Sequence, residues 1–194
     1  GSHHYVALRA DTSVLVWSSI YAGQTNAPPV LGVTAIAAGY SHDLALRSDG
    51  TVVAWGLNNY QQTNVPAGLS GVVAIAAGAT HSLALKADGT VTGWGYANAY
   101  QPVPASATNL IAIATGGYHC LGLRADGTVV AWGENNAGQT AVPPSLSNVV
   151  AVAAGDTYSV ALRSDGTLVD WGYSQAAVPL WDMAYASQVL AGGN

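Results

Sequence analysis

One phrase of about fifteen residues recurs along this chain of 194 residues. It is clearest as HSLALKADGTVTGWG, from His81 to Gly95, and as HCLGLRADGTVVAWG, from His119 to Gly133. Two further copies start at His42 and Tyr158, and a more divergent copy starts at His4. Self-similarity at a fixed period of roughly 20–50 residues is typical of solenoids, propellers and other repeat architectures. The period therefore constrains the fold more than any other feature of the sequence.

The aromatic residues and histidines show how regular the period is. Five tryptophans share one repeat position and lie 38 or 39 residues apart. They are Trp17, Trp55, Trp94, Trp132 and Trp171. A second repeat position is occupied by His4, His42, His81, His119 and Tyr158. Five periods of about 39 residues account for the whole chain.

Each period predicts short antiparallel strands. The run VVAIAAG (Val72–Gly78) is apolar and ends at a glycine, and HSLALKAD then alternates between two faces, as a half-buried strand does. An Asp-Gly pair follows and indicates a hairpin, and TVTGWG forms the third strand. A segment such as QTNVP is expected at the sheet edge, because proline has no amide hydrogen to donate. Four short strands in each repeat are typical of a β-propeller blade.

The predicted fold class is all-β, a β-propeller of five four-stranded blades within one domain, residues 1–194. Alanine and glycine fill the first strand of each period, so we place that strand innermost. The chain begins within a second strand, and Gln188–Asn194 (QVLAGGN) resembles a first strand. We therefore expect the terminal segments to share one blade and close the ring as a monomer. The alternatives are a fragment of a seven-bladed propeller and an open arc that dimerises.

Composition argues against several classes of function. Five lysines and arginines stand against ten acidic residues, and a net charge of −5 disfavours binding to a nucleic-acid backbone. No apolar run approaches the ~20 residues that a membrane-spanning helix needs. The single Cys120 excludes an internal disulfide and most zinc sites. No catalytic constellation stands apart from the repeat, so the sequence predicts no enzyme, no cofactor and no metal.

The repeat unit G-x-x-H-S-L-A-L-x-x-D-G-T-V-x-x-W-G-x-N-x-x-G-Q resembles the regulator of chromosome condensation repeat family. It is spelled out best at Gly117–Gln139 and Gly78–Gln101. The resemblance implies a propeller, and the founding member implies nucleotide exchange and chromatin docking, roles that an acidic chain without basic tails does not support. The short period and the QTxVP segments are also similar to bacterial propeller inhibitors of β-lactamases. That similarity implies a secreted or cell-surface bacterial protein.

The loops after the first and third strands of each blade are predicted to share one face of the propeller. They are rich in Tyr and Asn and contain no Lys or Arg. Tyrosine supplies a large contact area at low entropy cost, so binding surfaces favour it. The candidate partner-binding residues are Tyr21, Tyr40, Asn59, Tyr60, Tyr96, Tyr100, Tyr118, Glu134, Asn135, Asp156 and Tyr173. In the inhibitory relatives, the resemblance implies that aromatic residues of such loops contact the enzyme. The alternative is that these tyrosines only pack against neighbouring loops.

The opposite face is predicted to carry the charges. All five cations share one repeat position around the Asp-Gly hairpins, and five acids follow two residues later. These residues are Arg9, Arg47, Lys86, Arg124 and Arg163, with Asp11, Asp49, Asp88, Asp126 and Asp165. Their alternation indicates a solvated face that keeps the protein soluble.

The recurring histidines and tryptophans are interpreted as structural. His4, His42, His81 and His119 each belong to a different blade and share a strand side with leucines, which favours packed imidazoles hydrogen-bonded to backbone over a metal ring. The tryptophans Trp17, Trp55, Trp94, Trp132 and Trp171 point with valines into the space between blades and are expected in the core. Trp181 lies outside the repeat and is expected to pack where the ring closes.

The expected function is a non-enzymatic scaffold that presents the Tyr/Asn-rich loops to a protein partner. The alternatives are an inhibitor of a secreted bacterial enzyme such as a β-lactamase, a glycan-binding lectin, and a structural or engineered repeat protein without a ligand. The loop copies differ from one another, which favours one large partner over repeated sugar pockets. No nucleic-acid or membrane partner is expected.

Overall fold

The structure is a computed structural model, and it describes residues 4–18, 28–96 and 102–173. These residues form strands, turns and loops without a helix. The strands are β1 (His4–Leu8), β2 (Val14–Ser18), β3 (Val33–Ala38), β4 (His42–Arg47), β5 (Val52–Gly56), β6 (Val72–Ala77), β7 (His81–Lys86), β8 (Val91–Gly95), β9 (Leu110–Thr115), β10 (His119–Arg124), β11 (Val129–Gly133), β12 (Val149–Ala154), β13 (Tyr158–Arg163) and β14 (Leu168–Gly172). The all-β class predicted from the repeat is confirmed for the described residues.

The strands form one sheet for each repeat. Blade 1 contains β1 and β2, and blades 2 to 5 contain β3–β5, β6–β8, β9–β11 and β12–β14. All pairs are antiparallel, and the second strand of each repeat lies between the first and the third in blades 2 to 5. The registers repeat as well: His42 lies opposite Gly56, as His81 lies opposite Gly95. The same local sequence pattern, repeated along the chain, therefore produces nearly identical sheets.

In the described residues the sheets of blades 2 to 5 have three strands, and the proline loops of blades 2 and 4 form no fourth strand, unlike the four-stranded blades expected from the sequence. The proline segment of blade 5 lies outside the described residues. In blade 2 the amide of Val65 donates to the carbonyl of Thr63 at 3.0 Å, and the amide of Asn64 donates to that of Gln61 at 3.1 Å. Pro66 has no amide hydrogen to donate. The amides of Asn64 and Val65 therefore donate within their own loop rather than to a neighbouring strand, and those of Ala141 and Val142 do the same in blade 4.

Consecutive blades pack face to face through apolar side chains. Between blades 2 and 3, Leu44 and Leu46 of one sheet meet Ala84 and Trp94 of the next. The same kind of cluster joins blades 1 and 2, blades 3 and 4, and blades 4 and 5. Each buried leucine contributes about 1.5–3 kcal/mol of hydrophobic stabilisation. The core is therefore a series of layers between sheets.

Four of the five repeat tryptophans lie in these layers, but Trp17 does not. Trp55, Trp94, Trp132 and Trp171 are buried, whereas the Trp17 side chain is 48% exposed. It stacks on Tyr5 with ring centroids 5.9 Å apart, on the side of blade 1 facing away from blade 2. No described blade packs on that side, so the core position expected for Trp17 stays a prediction. Trp181 and the closing segment Gln188–Asn194 lie outside the described residues.

The Asp-Gly hairpins depend on their acidic residues for more than solubility. In each of blades 1 to 5 one carboxylate accepts hydrogen bonds from the amide and the hydroxyl of the residue two positions later. At Asp49 these bonds come from Thr51, at 3.0 Å to the amide nitrogen and 2.6 Å to Oγ1. The two bonds hold the pKa of Asp49 below its usual range. These acids therefore brace the turns.

Candidate functional site

The loops that follow the first and third strands lie at the same end of each described blade. Backbone bonds join them: the amide of Leu57 donates to Ser41 at 2.8 Å, and the amide of Tyr96 donates to Thr80 at 3.0 Å. Glu134 and Tyr173 make the corresponding bonds in blades 4 and 5. We call this surface the tyrosine face, comprising residues 39–41, 57–66, 78–80, 96, 116–118, 134–143, 155–157 and 173.

Further backbone bonds join this face from one blade to the next. The amide of Tyr40 donates to the carbonyl of Gly78 at 3.2 Å, and that of Ala79 donates to Gly117 at 3.1 Å. The amide of Gly117 then donates to Asp156 at 3.4 Å. These bonds link four blades in series and hold the loops at fixed separations.

The structure brings the described candidate residues together on this face. The exposed fractions are 40% for Tyr40 and Tyr118, 47% for Tyr60 and 62% for Tyr173. The remaining exposed candidates are Asn59, Asn135 and Asp156, whereas Tyr96 and Glu134 are half-buried. The other two candidates, Tyr21 and Tyr100, lie outside the described residues.

Some candidates also hold their own loops together. The Asn135 side-chain oxygen accepts from the amide of Thr140 at 2.9 Å, and Glu134 accepts from the side-chain amide of Asn136 at 2.8 Å. Asn58 braces the loop of blade 2 in the same way, by accepting from the amide of Thr63 at 3.0 Å. The asparagines therefore shape the face on which the tyrosines are exposed.

A line of buried histidines connects the blades beneath this face. Each imidazole Nε2 meets a side chain on the second strand of the next blade, where the expectation was a backbone partner. The four pairs are His4 with Asp43 Oδ1 at 2.6 Å, His42 with Ser82 Oγ at 2.9 Å, His81 with Cys120 Sγ at 3.3 Å and His119 with Ser159 Oγ at 2.9 Å. The partner is always the residue after the recurring histidine of the next copy, or after Tyr158. The histidines therefore act as links between blades.

The glycine three residues before each of His42, His81 and His119 makes room for the ring. A Cβ atom at Gly78 would lie 2.7 Å from Nδ1 of His81, which is too close for any side chain. Gly39 and Gly116 stand in the same relation to His42 and His119. The spacing G-x-x-H is therefore explained by packing inside one blade.

Burial sets the protonation of His42, His81 and His119. It lowers the pKa of His42 and His119 to about 4 and that of His81 to about 3, so these imidazoles are neutral at neutral pH. Burial also raises the pKa of the Cys120 thiol and of the Asp43 carboxyl. A thiol with a raised pKa remains protonated and is a poor nucleophile, so the contact between Cys120 and His81 serves packing.

Two buried glutamines complete the links and were not singled out from the sequence. The backbone carbonyl of Gln62 accepts from Trp94 Nε1 at 2.8 Å and from Ser82 Oγ at 2.9 Å. Gln139 accepts in the same way from Trp171 and Ser159. The Gln62 side chain also accepts from the amide of Tyr60 at 2.8 Å. The glutamine that ends the repeat motif was the available signal, since a buried amide side chain requires a hydrogen-bond partner.

Neither a metal cluster nor a membrane-crossing helix is found in the described ranges. No group of three or more His, Cys, Asp or Glu side chains there could hold a metal ion. None of those residues forms a helix long and apolar enough to cross a bilayer.

The fold and the tyrosine face are those of a repeat protein built from propeller-type blades. The model of the regulator of chromosome condensation (RCC1) repeat matches residues 33–62, 72–101 and 110–139. The chain therefore contains three segments that match the RCC1 repeat. A search of curated protein sequences finds no match to it.

Solved propeller structures share this architecture. The ectodomain of the receptor kinase CR4 from Physcomitrella patens is 26% identical with a TM-score of 0.78, over 92% of this chain and 53% of that chain. The ectodomain of the receptor kinase ACR4 from Arabidopsis thaliana is 23% identical with a TM-score of 0.71, over 91% and 64%. Yeast RCC1 (Prp20), bound to Kap60, is 21% identical with a TM-score of 0.72, over 89% and 54%. The chain thus spans about half to two thirds of the length of these proteins.

Proposed function

We propose that the chain is a non-enzymatic scaffold that binds a protein partner through the tyrosine face. The observation that carries this proposal is the exposure of Tyr40, Tyr60, Tyr118 and Tyr173 at one end of the blades, on loops joined by backbone hydrogen bonds. Rigid aromatic side chains on a fixed frame lose little conformational entropy on association. Tyrosine is also among the residues that contribute most at interface hot spots.

The charges of the face indicate the partner's chemistry. None of its described residues is a lysine or an arginine, and it carries the exposed Asp156 and the half-buried Glu134. The described cations lie at the opposite end, around the Asp-Gly hairpins, where Arg124 donates to the backbone of Ser106. A neutral or basic patch on the partner would therefore fit this face better than an acidic one.

Solved relatives are consistent with a protein-binding role. Prp20p from Saccharomyces cerevisiae has been characterised for binding to Gsp1p and histones, and yeast RCC1 (Prp20) has been solved bound to Kap60. RCC1-type propellers can thus present surfaces to proteins.

The proposal is tested by removing three aromatic side chains together. The variant Tyr40→Ala, Tyr60→Ala, Tyr118→Ala should fold, because all three rings are at least 40% exposed, and should lose capture of the partner from lysate of the source cells. The matched control exchanges Ser48→Ala, Ala87→Ser and Ala125→Ser on the hairpin end, where other copies already carry either residue. Capture that persists in the tyrosine variant, or disappears equally in the control, would refute the assignment of the face.

A narrower form of the proposal is inhibition of a secreted bacterial enzyme such as a β-lactamase. It rests on the similarity of the repeat period and the QTxVP segments to propeller inhibitors. Steady-state hydrolysis of a chromogenic β-lactam in the presence of the purified chain tests it directly. Undiminished hydrolysis across a panel of secreted β-lactamases would remove this form and leave the general proposal standing.

A further inference from the structure

A cleft opens on the tyrosine face where blade 2 meets blade 3. Its volume is about 400 Å³, and it is lined by residues of the loop after β5 and of the end of β8. Its lining includes Tyr60, Gln61, Asn64, Pro66, Trp94 and Tyr96. A volume of this size falls within the range of small-molecule sites, about 300–1,000 Å³.

Two tyrosines form a continuous aromatic wall. The rings of Tyr60 and Tyr96 meet edge to face, with centroids 5.3 Å apart and an interplanar angle of 72°. This arrangement is favourable for aromatic pairs and holds each ring in its orientation. Tyr60 is 47% exposed, so part of its ring is open to a ligand. Trp94 lies at the base, fixed by its bond from Nε1 to the Gln62 carbonyl.

A side-chain amide is placed at the cleft in a strained backbone conformation. Gln61 has a φ of 63°, in the left-handed region that favours glycine. The corresponding residue of blade 4 is Gly138, with a φ of 81°. The repeat motif therefore supplies glycine at this position, and blade 2 instead carries a glutamine whose side chain lines the cleft. Strain of this kind persists where the surrounding structure holds it, often at ligand sites.

A second amide is oriented by its neighbour. The Asn64 side-chain oxygen accepts a hydrogen bond from the Asn58 side-chain amide at 2.8 Å. Its amide nitrogen is then the donor that Asn64 can present to a ligand. Together with Gln61, the cleft offers hydrogen-bond donors and an acceptor beside an aromatic wall.

The lining selects for a neutral ligand with one apolar side and several hydrogen-bonding groups. The lining residues carry no charge, so a charged ligand would lose hydration without gaining a counter-charge. A wholly apolar ligand would cover the Gln61 and Asn64 amides and leave them without partners. A sugar ring has C–H groups on one side to lie on the tyrosines and hydroxyls around its edge for the amides.

We propose that this cleft binds the pyranose ring of a neutral sugar. The proposal does not rest on the protein-binding function, since the cleft is confined to one blade junction. A proline-rich peptide also combines apolar rings with hydrogen-bonding groups, but an extended chain would reach beyond a cleft of this size. The test therefore includes a proline-rich peptide as the competing ligand.

The test titrates the full chain with methyl glycosides of glucose, galactose, mannose and N-acetylglucosamine, and separately with a proline-rich peptide. Proton–nitrogen correlation spectra follow the Trp94 indole and the Tyr96 amide. We expect one glycoside to shift both signals with a millimolar dissociation constant. Tyr60→Ala should weaken binding by about tenfold or more, which corresponds to about 1.4 kcal/mol. Ser48→Ala, on the hairpin end of blade 2 and away from the cleft, should leave sugar binding unchanged.

Blade 4 supplies matched variants in both directions. Tyr60→Ala, Gln61→Gly and Asn64→Ala introduce the residues found at 137, 138 and 141, on a backbone that already tolerates them. This variant should remain folded and lose the sugar response. Ala137→Tyr, Gly138→Gln and Ala141→Asn should create a second response at the Trp171 indole. Spectra unmoved by all four glycosides, or moved only by the peptide, would overturn the proposal.

Discussion

Tyr60 and Ala137 occupy the same position in two loops, one joining blade 2 to blade 3 and the other joining blade 4 to blade 5. The backbones around them are bonded alike. The amide of Tyr60 donates to Gln62 Oε1 at 2.8 Å, and that of Ala137 donates to Gln139 Oε1 at 2.9 Å. Trp94 and Trp171 donate to the carbonyls of these glutamines at 2.8 and 2.9 Å. The two junctions therefore share the same framework of hydrogen bonds.

The side chains on this framework differ. The junction of blades 2 and 3 carries Tyr60, Gln61 and Asn64, where the junction of blades 4 and 5 carries alanine, glycine and alanine. Tyr96 is half-buried against Tyr60, whereas Tyr173, its counterpart, has only Ala137 at the corresponding position and is 62% exposed. The buried links are therefore the same at both junctions, whereas the exposed loop positions differ.

Acid should weaken both junctions together and produce the largest effect. His42 and His119 have folded pKa values of about 4, below the usual 6.5, because burial penalises the charged imidazole. The unfolded chain therefore binds more protons between these values, and stability is lost as the pH falls from about 6.5 to about 4. Each histidine should remove about 3 kcal/mol from the free energy of unfolding over that range.

Urea denaturation at pH 7 and at pH 4.5 measures this loss, and hydrogen exchange in β7 and β13 assigns it to the junctions. The control is His42→Gln, which keeps a hydrogen-bonding side chain opposite Ser82 but does not titrate. This variant should reduce the pH dependence of hydrogen exchange in β7 of blade 3 and leave the pH dependence of exchange in β13 of blade 5 unchanged. Exchange that rises at only one junction in the unaltered protein would contradict the shared framework.

Alanine at the glycine after each tryptophan should damage both junctions equally. Gly95 and Gly172 have φ values of 84° and 97°, and a Cβ atom on either would lie 2.7 Å from a backbone carbonyl oxygen, of Thr80 and Thr157 respectively. Left-handed backbone and a clash with backbone together should cost about 3 kcal/mol in each variant. Thermal unfolding of Gly95→Ala and Gly172→Ala measures the two losses. A difference beyond about 1 kcal/mol between them would show that the frameworks are not equivalent.

Exchanging Gln61 and Gly138 should give the smallest effect, with opposite signs at the two junctions. Gln61→Gly relieves a left-handed non-glycine residue and should stabilise the chain by about 1 kcal/mol, whereas Gly138→Gln should destabilise it by a similar amount. Chemical denaturation resolves a shift of this size. Destabilisation by Gln61→Gly would indicate that the glutamine side chain holds the loop, and would weaken its assignment to a ligand.

Much of the strand arrangement could be predicted because it depends on local sequence patterns that recur in each repeat. The alternation in HSLALKAD, the Asp-Gly pair and the tryptophan spacing led to the right strands and to four buried tryptophans. The fourth strand was wrong for blades 2 and 4 because their proline loops form hydrogen bonds within themselves, which depends on loop geometry. The partners of the histidines were missed because Ser82 and Ser159 are reached across a blade junction, 40 residues away in the chain.

The candidate site, too, could be predicted from the sequence only in part. Strand alternation was enough to assign Tyr40, Tyr60, Tyr118 and Tyr173 to one face, since loops at the same end of an up-and-down sheet must lie together. The cleft was missed, because Gln61 and Asn64 meet Tyr96 only when two blades pack. Glutamine at position 61, where the repeat motif has glycine, could be noticed in the sequence. That it contributes to a cleft follows only from the residues that pack beside it.

The sequence by itself determined the number of repeats, the strand pattern within each and the end of the sheet at which the tyrosines emerge. Those properties follow from period-two alternation and turn chemistry, which act over a few residues. Only the tertiary structure decided which side chain each histidine meets, that Trp17 is exposed among the described residues, and that Tyr60 and Tyr96 line a cleft where blades 2 and 3 meet. Packing between sheets brings together residues about 40 positions apart, and no local pattern carries that information.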